Sequence, residues 1–473
     1  MLYREIVGDS VTPIILLQNF SKERFLFLLE SANLDKSYSR YTFFGFNPAR
    51  VITYRNRTLT VESKKEGIIT VNENPVAYMR NLLKGELSHK EKELGNFCGG
   101  YVGFMGFDMV NHMDTLRYPV REDQDNLAMA FFQVDEFYIF DNVMKKLYAA
   151  RSVTIDDYPE KIYRRAEDRT REMALEILSL HKRHYPGERH FTEHEEFDQA
   201  SYMKTVDLLK EEIVAGECIQ AVLSNKYSIR GTINPINLYR LLRSINPSPY
   251  MFYIAVDGDV VCGTSPEVHL KIDDGNAMLK PIAGTYRYDG TDLEELKRKL
   301  MEDEKERAEH LMLLDLARND LYTGCTPESV RVTSSFQAEV YSHVIHIVSE
   351  VQGVLRDDVS SYDLFCNTFP AGTVTGAPKV RAMELIDKYE KSPRGFYAGC
   401  AGYFSYSQDV DTCILIRSAY VNNESVTLRA GAGIVYDSEP DREYGEVRNK
   451  LGALYDAIRR TPLLEERNVF NDR

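Results

Sequence analysis

The chain has 473 residues, of which 43% are hydrophobic and 27% are charged, a balance typical of a soluble globular protein longer than one ordinary domain. Its formal net charge of −14 argues against sequence-independent binding to nucleic acid, which needs a dense cationic surface. The 7 cysteines include no C-x-x-C pair, and neither a signal core nor an apolar run of the ~20 residues that span a membrane is present. We therefore expect a soluble, cytoplasmic protein with reduced thiols.

The first 190 residues contain short helix and strand patterns in alternation. We predict a helix over 22–31, strands over 41–46, 50–54, 99–106 and 128–140, and a charged helix over 158–181. The polar stretch 184–199 has no hydrophobic period and is the best linker candidate.

From residue 197 to 460 the strand patterns follow one another in pairs. Helices are predicted over 201–215, 238–245, 291–316, 378–389 and 440–458. Strands are predicted over 218–229, 250–256, 260–263, 268–272, 402–406, 412–421 and 425–430. Paired strands favour an α+β fold with two large, mostly antiparallel β-sheets packed as a sandwich and helices on the outside. We expect the regions 1–190 and 197–460 to be intertwined in one large fold.

Five segments have the composition of ligand-binding loops. The most informative is Phe-Pro-Ala-Gly-Thr-Val-Thr-Gly over 369–376, because a Gly- and Pro-rich turn with two hydroxyls brings backbone N–H groups close to a small anion. The other four segments are 281–285, 346–350, 417–418 and 431–433. Taken singly, such turns usually only connect elements.

Two predicted helices carry acidic residues at spacings that place them on one helix face. Glu443, Glu446 and Lys450 are spaced i, i+3, i+7, and Glu306 and Glu309 are three residues apart. Such acids often only complement the helix dipole or face solvent. However, Mg²⁺ commonly takes one or two protein carboxylates and completes its shell with water and ligand oxygens. One glutamate from each helix would suit that ion.

Over 197–458 the chain resembles the chorismate-utilising enzymes, and most closely component I of the anthranilate synthases. The matching segments occur in order over 216–220, 246–251, 265–267, 281–285, 308–312, 318–320, 341–343, 369–378, 411–413 and 431–433. The resemblance implies that Glu309 and Glu446 hold Mg²⁺. It also implies that chorismate is bound by Gly284, Thr285, Tyr397, Arg417, Gly431, Ala432, Gly433 and Lys450. For Lys450 an ordinary surface pair with Glu446 is an equally good interpretation.

The family's reaction places a nucleophile at C2 of the ring while the C4 hydroxyl leaves, and then eliminates pyruvate to form an aromatic ring. Glu267 is the candidate acid for the leaving hydroxyl, provided that burial keeps it protonated. His346 and Thr373 are candidates for the second half of the reaction. Gln220 stands where water-using relatives carry a lysine, and Ala283 stands where aminodeoxychorismate synthases usually carry one. Both positions favour ammonia as nucleophile and anthranilate as product.

The amino-terminal segment 28–31 resembles the family's tryptophan-sensing motif. The expected effector pocket for the inhibitor L-tryptophan combines Ser31 with Pro249, Tyr250 and Met251, together with Cys413. An apolar slot with one hydroxyl suits an indole and an amino-acid head group.

The chain has no Cys-containing nucleophile turn with a His-x-Glu partner, so we expect a separate glutamine amidotransferase subunit to supply ammonia. Three alternatives remain open at this point. They are an aminodeoxychorismate synthase component I, an isochorismate synthase that uses water, and a non-catalytic tryptophan-binding regulatory protein of the same fold.

Overall fold

A computed structural model of the chain describes residues 1–7, 11–32, 40–84, 88–113, 116–155, 158–180, 190–194, 198–288, 292–341 and 344–469. The helices are α1 (Pro13–Asn19), α2 (Pro75–Lys84), α3 (Pro159–Leu178), α4 (Gln199–Val214), α5 (Pro235–Ile245), α6 (Leu293–Glu302), α7 (Glu304–Tyr322), α8 (Ser361–Thr368), α9 (Lys379–Tyr389) and α10 (Pro440–Val469).

The first eleven strands are β1 (Leu2–Ile6), β2 (Phe25–Glu30), β3 (Tyr41–Phe46), β4 (Arg50–Arg55), β5 (Thr58–Ser63), β6 (Gly67–Val71), β7 (Gly100–Met105), β8 (Met129–Val134), β9 (Glu136–Asp141), β10 (Lys146–Arg151) and β11 (His190–His194). The others are β12 (Gln220–Thr232), β13 (Tyr250–Val256), β14 (Asp259–Ser265), β15 (Val268–Asp273), β16 (Asn276–Leu279), β17 (Ile282–Arg287), β18 (Arg331–Tyr341), β19 (Val344–Val354), β20 (Gly376–Ala377), β21 (Cys400–Ser405), β22 (Val410–Ile414), β23 (Ser418–Val421) and β24 (Ser425–Ile434).

These strands form two 12-stranded sheets within the described part of the chain. The first sheet has the order β1-β10-β9-β3-β2-β13-β14-β23-β24-β12-β11, with β20 also paired to β12. The second has the order β17-β19-β16-β15-β22-β21-β7-β8-β4-β5-β6, with β18 also paired to β19. The two halves of the chain join in each sheet, through the antiparallel pairs β2–β13 and β7–β21.

The two sheets pack face to face on a shared apolar core. Phe27 and Ile254 of the first sheet and Val102 and Phe104 of the second belong to this core, and each is at most 1% exposed. Because strand side chains alternate between faces, Tyr101 and Met105, which adjoin Val102 and Phe104 on β7, belong to a core on the outer face instead. The predicted sandwich of two antiparallel sheets is therefore confirmed.

Helices cover the outer face of each sheet, as predicted. On the first sheet, α10 packs over β24 and contacts α4 and α5, with Val447, Leu451 and Leu454 buried. On the second sheet, α7 and α8 contribute Leu314, Leu321 and Phe365 to a second outer core. No described helix is long and apolar enough to cross a lipid bilayer.

Several element predictions were wrong. The helix predicted over 22–31 is strand β2, which lies between β3 and β13 and is buried on both faces, so its apolar run lacks the alternation of a half-exposed strand. The single helix predicted over 291–316 is two helices, because the Asp303 carboxylate accepts hydrogen bonds from the backbone N–H groups of Lys305 and Glu306 and starts α7 anew.

Of the predicted loops, 281–285 lies largely in β17, 346–350 lies in β19 and 431–433 lies in β24. The strands predicted over 128–140 and 412–421 are each two strands, β8 with β9 and β22 with β23. Within the linker candidate 184–199, residues 190–194 form β11, whereas 184–189 and 195–197 fall outside the described residues.

Candidate functional site

The acidic residues of α7 and α10 face one cleft beside the first sheet. On α10 the Lys450 ammonium lies 2.6 Å from Glu446 Oε1 and donates to the carbonyl oxygen of Gly431 at 2.9 Å. On α7 the Glu309 carboxylate accepts a hydrogen bond from Gln220 Nε2 at 2.9 Å. Glu446 remains 49% exposed, so the cleft is open to solvent. Lys450 therefore pairs with Glu446, as the surface-pair interpretation predicts, and it also contacts the Gly431 segment, as the substrate-binding interpretation predicts.

The electrostatics of these acids suit a bound divalent cation. Desolvation raises the pKa of Glu309, and the Glu446 carboxylate adds to that rise against the Gln220 hydrogen bond. Desolvation also raises the pKa of Glu306 to about 7, with the Glu309 charge adding to it. Desolvation opposes the ionisation of Glu446 too, but the Lys450 charge and hydrogen bond hold its pKa below the usual value. Carboxylates that repel one another across a cleft are the hard oxygen donors that Mg²⁺ prefers.

Glu443, on the same helix, is 7% exposed, and burial raises its pKa. The Glu446 charge adds to this rise, so Glu443 belongs to the same electrostatic group as the two proposed metal ligands. A tight group of three carboxylates elsewhere, Asp273, Asp274 and Asp409, already holds a cation: Lys90 Nζ lies 2.7, 2.9 and 2.8 Å from their oxygens.

Gln220 begins strand β12 and is buried at the end of the cleft. Its Nε2 is bound to Glu309, whereas its Oε1 is buried and has no hydrogen-bond partner among the described residues. A Cβ atom on Gly433 would lie 2.4 Å from Gln220 Nε2 and 3.5 Å from Glu309 Oε1, so a side chain at this position would displace the Gln220 amide. An unpartnered buried carbonyl oxygen is costly unless a ligand satisfies it.

The predicted substrate residues lie on neighbouring elements. Gly431, Ala432 and Gly433 pair with β12 over residues 222–224, so their backbone runs alongside the strand that begins at Gln220. Arg417 Nη1 donates to the backbone carbonyl oxygen of Lys450 at 2.8 Å, which fixes the guanidinium beside that helix. Tyr397 is 3% exposed, and a Cβ atom on Gly431 would lie 3.1 Å from its hydroxyl oxygen.

Gly284 and Thr285 occupy the irregular part of β17, where the pairing with β19 shifts between Ala283 and Tyr286. Their side chains lie outside the described part of the structure.

Glu267 and Thr373 are 106 residues apart in the chain but line one small cavity of about 30 Å³. Glu267 is 7% exposed, and burial raises its pKa to about 7, although the nearby Thr373 hydroxyl and Lys450 ammonium oppose that rise. The Thr373 hydroxyl is itself buried without a hydrogen-bond partner of normal geometry among the described residues. A carboxyl group that is substantially protonated near neutral pH can act as a general acid.

His346 and Thr373 lie on different elements, both of which contact α7. His346 is half-buried on β19, opposite Glu339 of β18, whereas Thr373 lies in the 3-10 turn Gly372–Val374 beside α7. The sequence reasoning gave no role to His310, the buried neighbour of Glu309, whose Nε2 lies 2.6 Å from Ser349 Oγ. Burial lowers the pKa of His310 to about 4, so its imidazole is neutral near pH 7.

The residues proposed for the effector line a separate cavity of about 270 Å³. Ser31, Pro249, Tyr250, Met251 and Cys413 all contribute to its wall. The Ser31 hydroxyl is buried there without a hydrogen-bond partner among the described residues. The antiparallel pairing of β2 with β13 places Glu30 opposite Met251 and so brings together the two distant parts of this set.

With this geometry established, comparison with known proteins defines the class. The model of the chorismate binding enzyme family matches residues 26–456. The chain therefore belongs to the family of chorismate-binding enzymes, and the predicted resemblance is confirmed.

Individual relatives within this family show which of its members the chain resembles. The chain is 36% identical to a protein of Acetivibrio thermocellus named anthranilate synthase component 1, over 96% of this chain and 94% of the relative. A protein of Aquifex aeolicus (strain VF5) with the same name is also 36% identical, over 97% and 94%. The crystal structure of anthranilate synthase component I from Streptococcus pneumoniae TIGR4 is similar with a TM-score of 0.76 and 30% identity, covering 95% of this chain and 99% of that one.

A more distant structure shares the fold alone. The menaquinone-specific isochorismate synthase MenF of Escherichia coli has a TM-score of 0.72 at 18% identity, covering 96% of this chain and 94% of that one.

Proposed function

We propose that the chain is the large subunit of an anthranilate synthase, which converts chorismate and ammonia through 2-amino-2-deoxyisochorismate to anthranilate and pyruvate, the first step of tryptophan biosynthesis. The names of the relatives that align over nearly the whole chain support this proposal. The observation that carries it is the environment of Gln220, whose amide nitrogen is bound to Glu309 and whose buried oxygen is unpartnered.

That environment favours ammonia over water as the nucleophile. The Gln220 carbonyl oxygen accepts an N–H of ammonia and orients the nitrogen lone pair. Ammonia needs no strong base, whereas water must lose a proton to become a good nucleophile. A neutral amide cannot take that proton, and the nearby Lys450 ammonium is charged, because Glu446 more than offsets the effect of desolvation and raises its pKa.

In the first half-reaction a C–N bond forms at C2 and the C4–O bond breaks. Glu267 gives its proton to the departing hydroxyl, which leaves as water, and the new ammonium group returns one proton. In the second half the C2 proton is removed, the enolpyruvyl group leaves with a proton added to its methylene carbon, and the ring becomes aromatic. Thr373 and His346 are the residues proposed for this half.

Charged and backbone groups orient the dianionic substrate. Arg417 and Lys450 are cations beside the glycine segment 431–433, and Tyr397 adds a hydroxyl. Gly284 and Thr285 are assigned to substrate binding by their resemblance to the family loop. Glu309 and Glu446 would hold Mg²⁺, which would supply positive charge for a substrate carboxylate.

Two further parts of the proposal concern partners. A glutamine amidotransferase subunit supplies the ammonia, since the similar proteins are named as component 1. L-Tryptophan inhibits by occupying the cavity lined by Ser31, Pro249, Tyr250 and Met251. Its binding favours a conformation with lower affinity for chorismate, a coupling typically of about 1–3 kcal/mol.

The test is to incubate the purified chain with chorismate, Mg²⁺ and an ammonium salt. We expect fluorescent anthranilate and pyruvate in equal amounts, and suppression by added tryptophan. A final product that remains a non-aromatic amino compound would favour an aminodeoxychorismate synthase. Product formed without any nitrogen source would favour an isochorismate synthase. Tryptophan binding with no turnover, unchanged in Glu309→Gln, would favour a regulatory protein.

A further inference from the structure

A buried cluster of three charged side chains lies directly behind the candidate site. Glu390, Arg394 and Arg429 have side chains that are 1%, 1% and 2% exposed. Glu390 pairs with Arg394 at 2.9 Å and with Arg429 at 2.7 Å. Removing one partner from such a group is strongly destabilising. Each guanidinium also donates to groups other than Glu390, and charge pairing does not account for those contacts.

The Arg394 guanidinium joins two segments that carry candidate catalytic residues. Its Nη1 donates to the carbonyl oxygen of Val374 at 2.6 Å, and its Nη2 donates to the carbonyl oxygen of Val222 at 2.6 Å. Val374 follows Thr373 directly, and Val222 lies two residues after Gln220. Arg394 also lies over the ring of Tyr397, with 5.6 Å from its Cζ to the ring centroid.

Arg429 is a natural comparison because it shares Glu390 but has different remaining partners. Its Nε donates to Ser224 Oγ at 2.7 Å, and its Nη1 donates to the carbonyl oxygen of Pro393 at 2.7 Å. None of its hydrogen-bond partners among the described residues adjoins Thr373 or Gln220 in the chain. The two arginines are therefore alike in burial, in charge pairing and in contacting strand β12, through Val222 and Ser224 respectively. Of the two, Arg394 alone also contacts the Thr373 turn.

We propose that Arg394 is a positioning residue that holds the Thr373 turn in register with the Gln220 strand, so that one site performs both half-reactions before the intermediate leaves. This proposal rests on the proposed function. The planar guanidinium can reach both carbonyl oxygens and Glu390 at once, whereas the single ammonium of lysine cannot reproduce that fork. Displacing the turn by about 1 Å is enough to cost roughly 10²-fold in rate.

The test compares Arg394→Lys with Arg429→Lys under saturating ammonia. For Arg394→Lys we expect kcat for anthranilate to fall by roughly 10- to 100-fold with little change in KM for chorismate. We also expect a larger fraction of consumed chorismate to appear as the released amino intermediate. Arg429→Lys should lower Tm comparably and leave the ratio of intermediate to anthranilate as in wild type. Equal ratios in the two variants would overturn the proposal.

A second variant addresses the same turn without touching the ion cluster. The Thr375 hydroxyl donates to the carbonyl oxygens of Ala371 and Gly372 at 2.9 and 3.3 Å, and so restrains the turn from its other side. Thr375→Val removes this restraint at a cost of about 1 kcal/mol in stability, so it remains folded if Arg394→Lys does not. It should also shift product toward the intermediate, and an unchanged ratio would count against positional control by the turn. A wild-type enzyme that forms no anthranilate would instead refute the proposed function.

Discussion

Glu267→Gln is the substitution with the most sharply defined consequences. The glutamine side chain has nearly the same shape as the glutamate but cannot donate an acidic proton. General acid–base catalysis typically contributes about 10²–10⁴-fold to the rate. We therefore expect kcat/KM for chorismate to fall by that factor, which corresponds to about 3–5 kcal/mol in the activation free energy.

The pH dependence follows from the same carboxyl group. Burial raises its pKa to about 7 in the folded protein, and the proposed role as general acid requires the protonated form. The wild-type kcat/KM should therefore fall as pH rises through about 7. The profile is measured with the concentration of free ammonia held constant, because ammonia itself becomes more available at higher pH. Glu267→Asp is the matched control, since it retains an acid and should keep an alkaline limb.

At alkaline pH, Glu267→Gln should raise the stability of the protein although it lowers the activity. A carboxyl pKa raised from 4.5 to about 7 means that ionisation of Glu267 costs the folded state about 3 kcal/mol. The stabilisation of the folded state that comes from keeping Glu267 protonated is complete below pH 4.5 and is lost as pH rises through about 7. At pH 8 to 9, Glu267→Gln avoids that loss, so its free energy of unfolding should exceed that of wild type by up to about 3 kcal/mol.

Urea unfolding at several pH values, together with initial rates, tests both expectations. A variant that loses activity and stability together at pH 8 would refute the reasoning, since Glu267 would then support the fold rather than donate a proton. A wild-type profile with no alkaline limb near pH 7 would refute the assignment of the acid.

Three further changes probe other parts of the structure. Glu309→Gln removes one of the two proposed carboxylate ligands and should weaken Mg²⁺ binding by more than about 10-fold in calorimetric titrations; unchanged affinity would contradict the metal assignment. Ser31→Leu adds an apolar side chain to the cavity of about 270 Å³ and should abolish tryptophan inhibition while kcat stays as in wild type, as inhibition curves would show. Glu390→Gln leaves Arg394 and Arg429 without their anion and should lower the free energy of unfolding by about 3–5 kcal/mol. Desolvation opposes the ionisation of Glu390, but the two arginines hold its pKa below the usual value. The stability that the ionised Glu390 contributes is therefore present above its pKa in the unfolded chain and is lost as pH falls through its pKa in the folded protein. Acid titrations of stability should therefore be less steep in Glu390→Gln, and an equally steep titration would contradict this role.

The local periodicity of the sequence was sufficient to predict several parts of the structure. The spacing of Glu446 and Lys450 predicted that they share a helix face, because a helix repeats every 3.6 residues whatever surrounds it. Paired strand patterns predicted the two antiparallel sheets, because the alternation of side chains along a strand is also a local property. Strand β2 shows where periodicity ends: a strand buried on both faces is uniformly apolar, and a short apolar run does not distinguish strand from helix.

The protein's own sequence determined which residue types stand at the site and, through its ordered motifs, which family the chain belongs to. Tertiary structure alone decided that Glu267 and Thr373 line one cavity, that Gln220 Oε1 lacks a partner and that Arg394 joins the segments behind them. These relations depend on burial and on contacts between residues far apart in the chain. Both are set by how the sheets and helices pack together, and no short-range pattern encodes them.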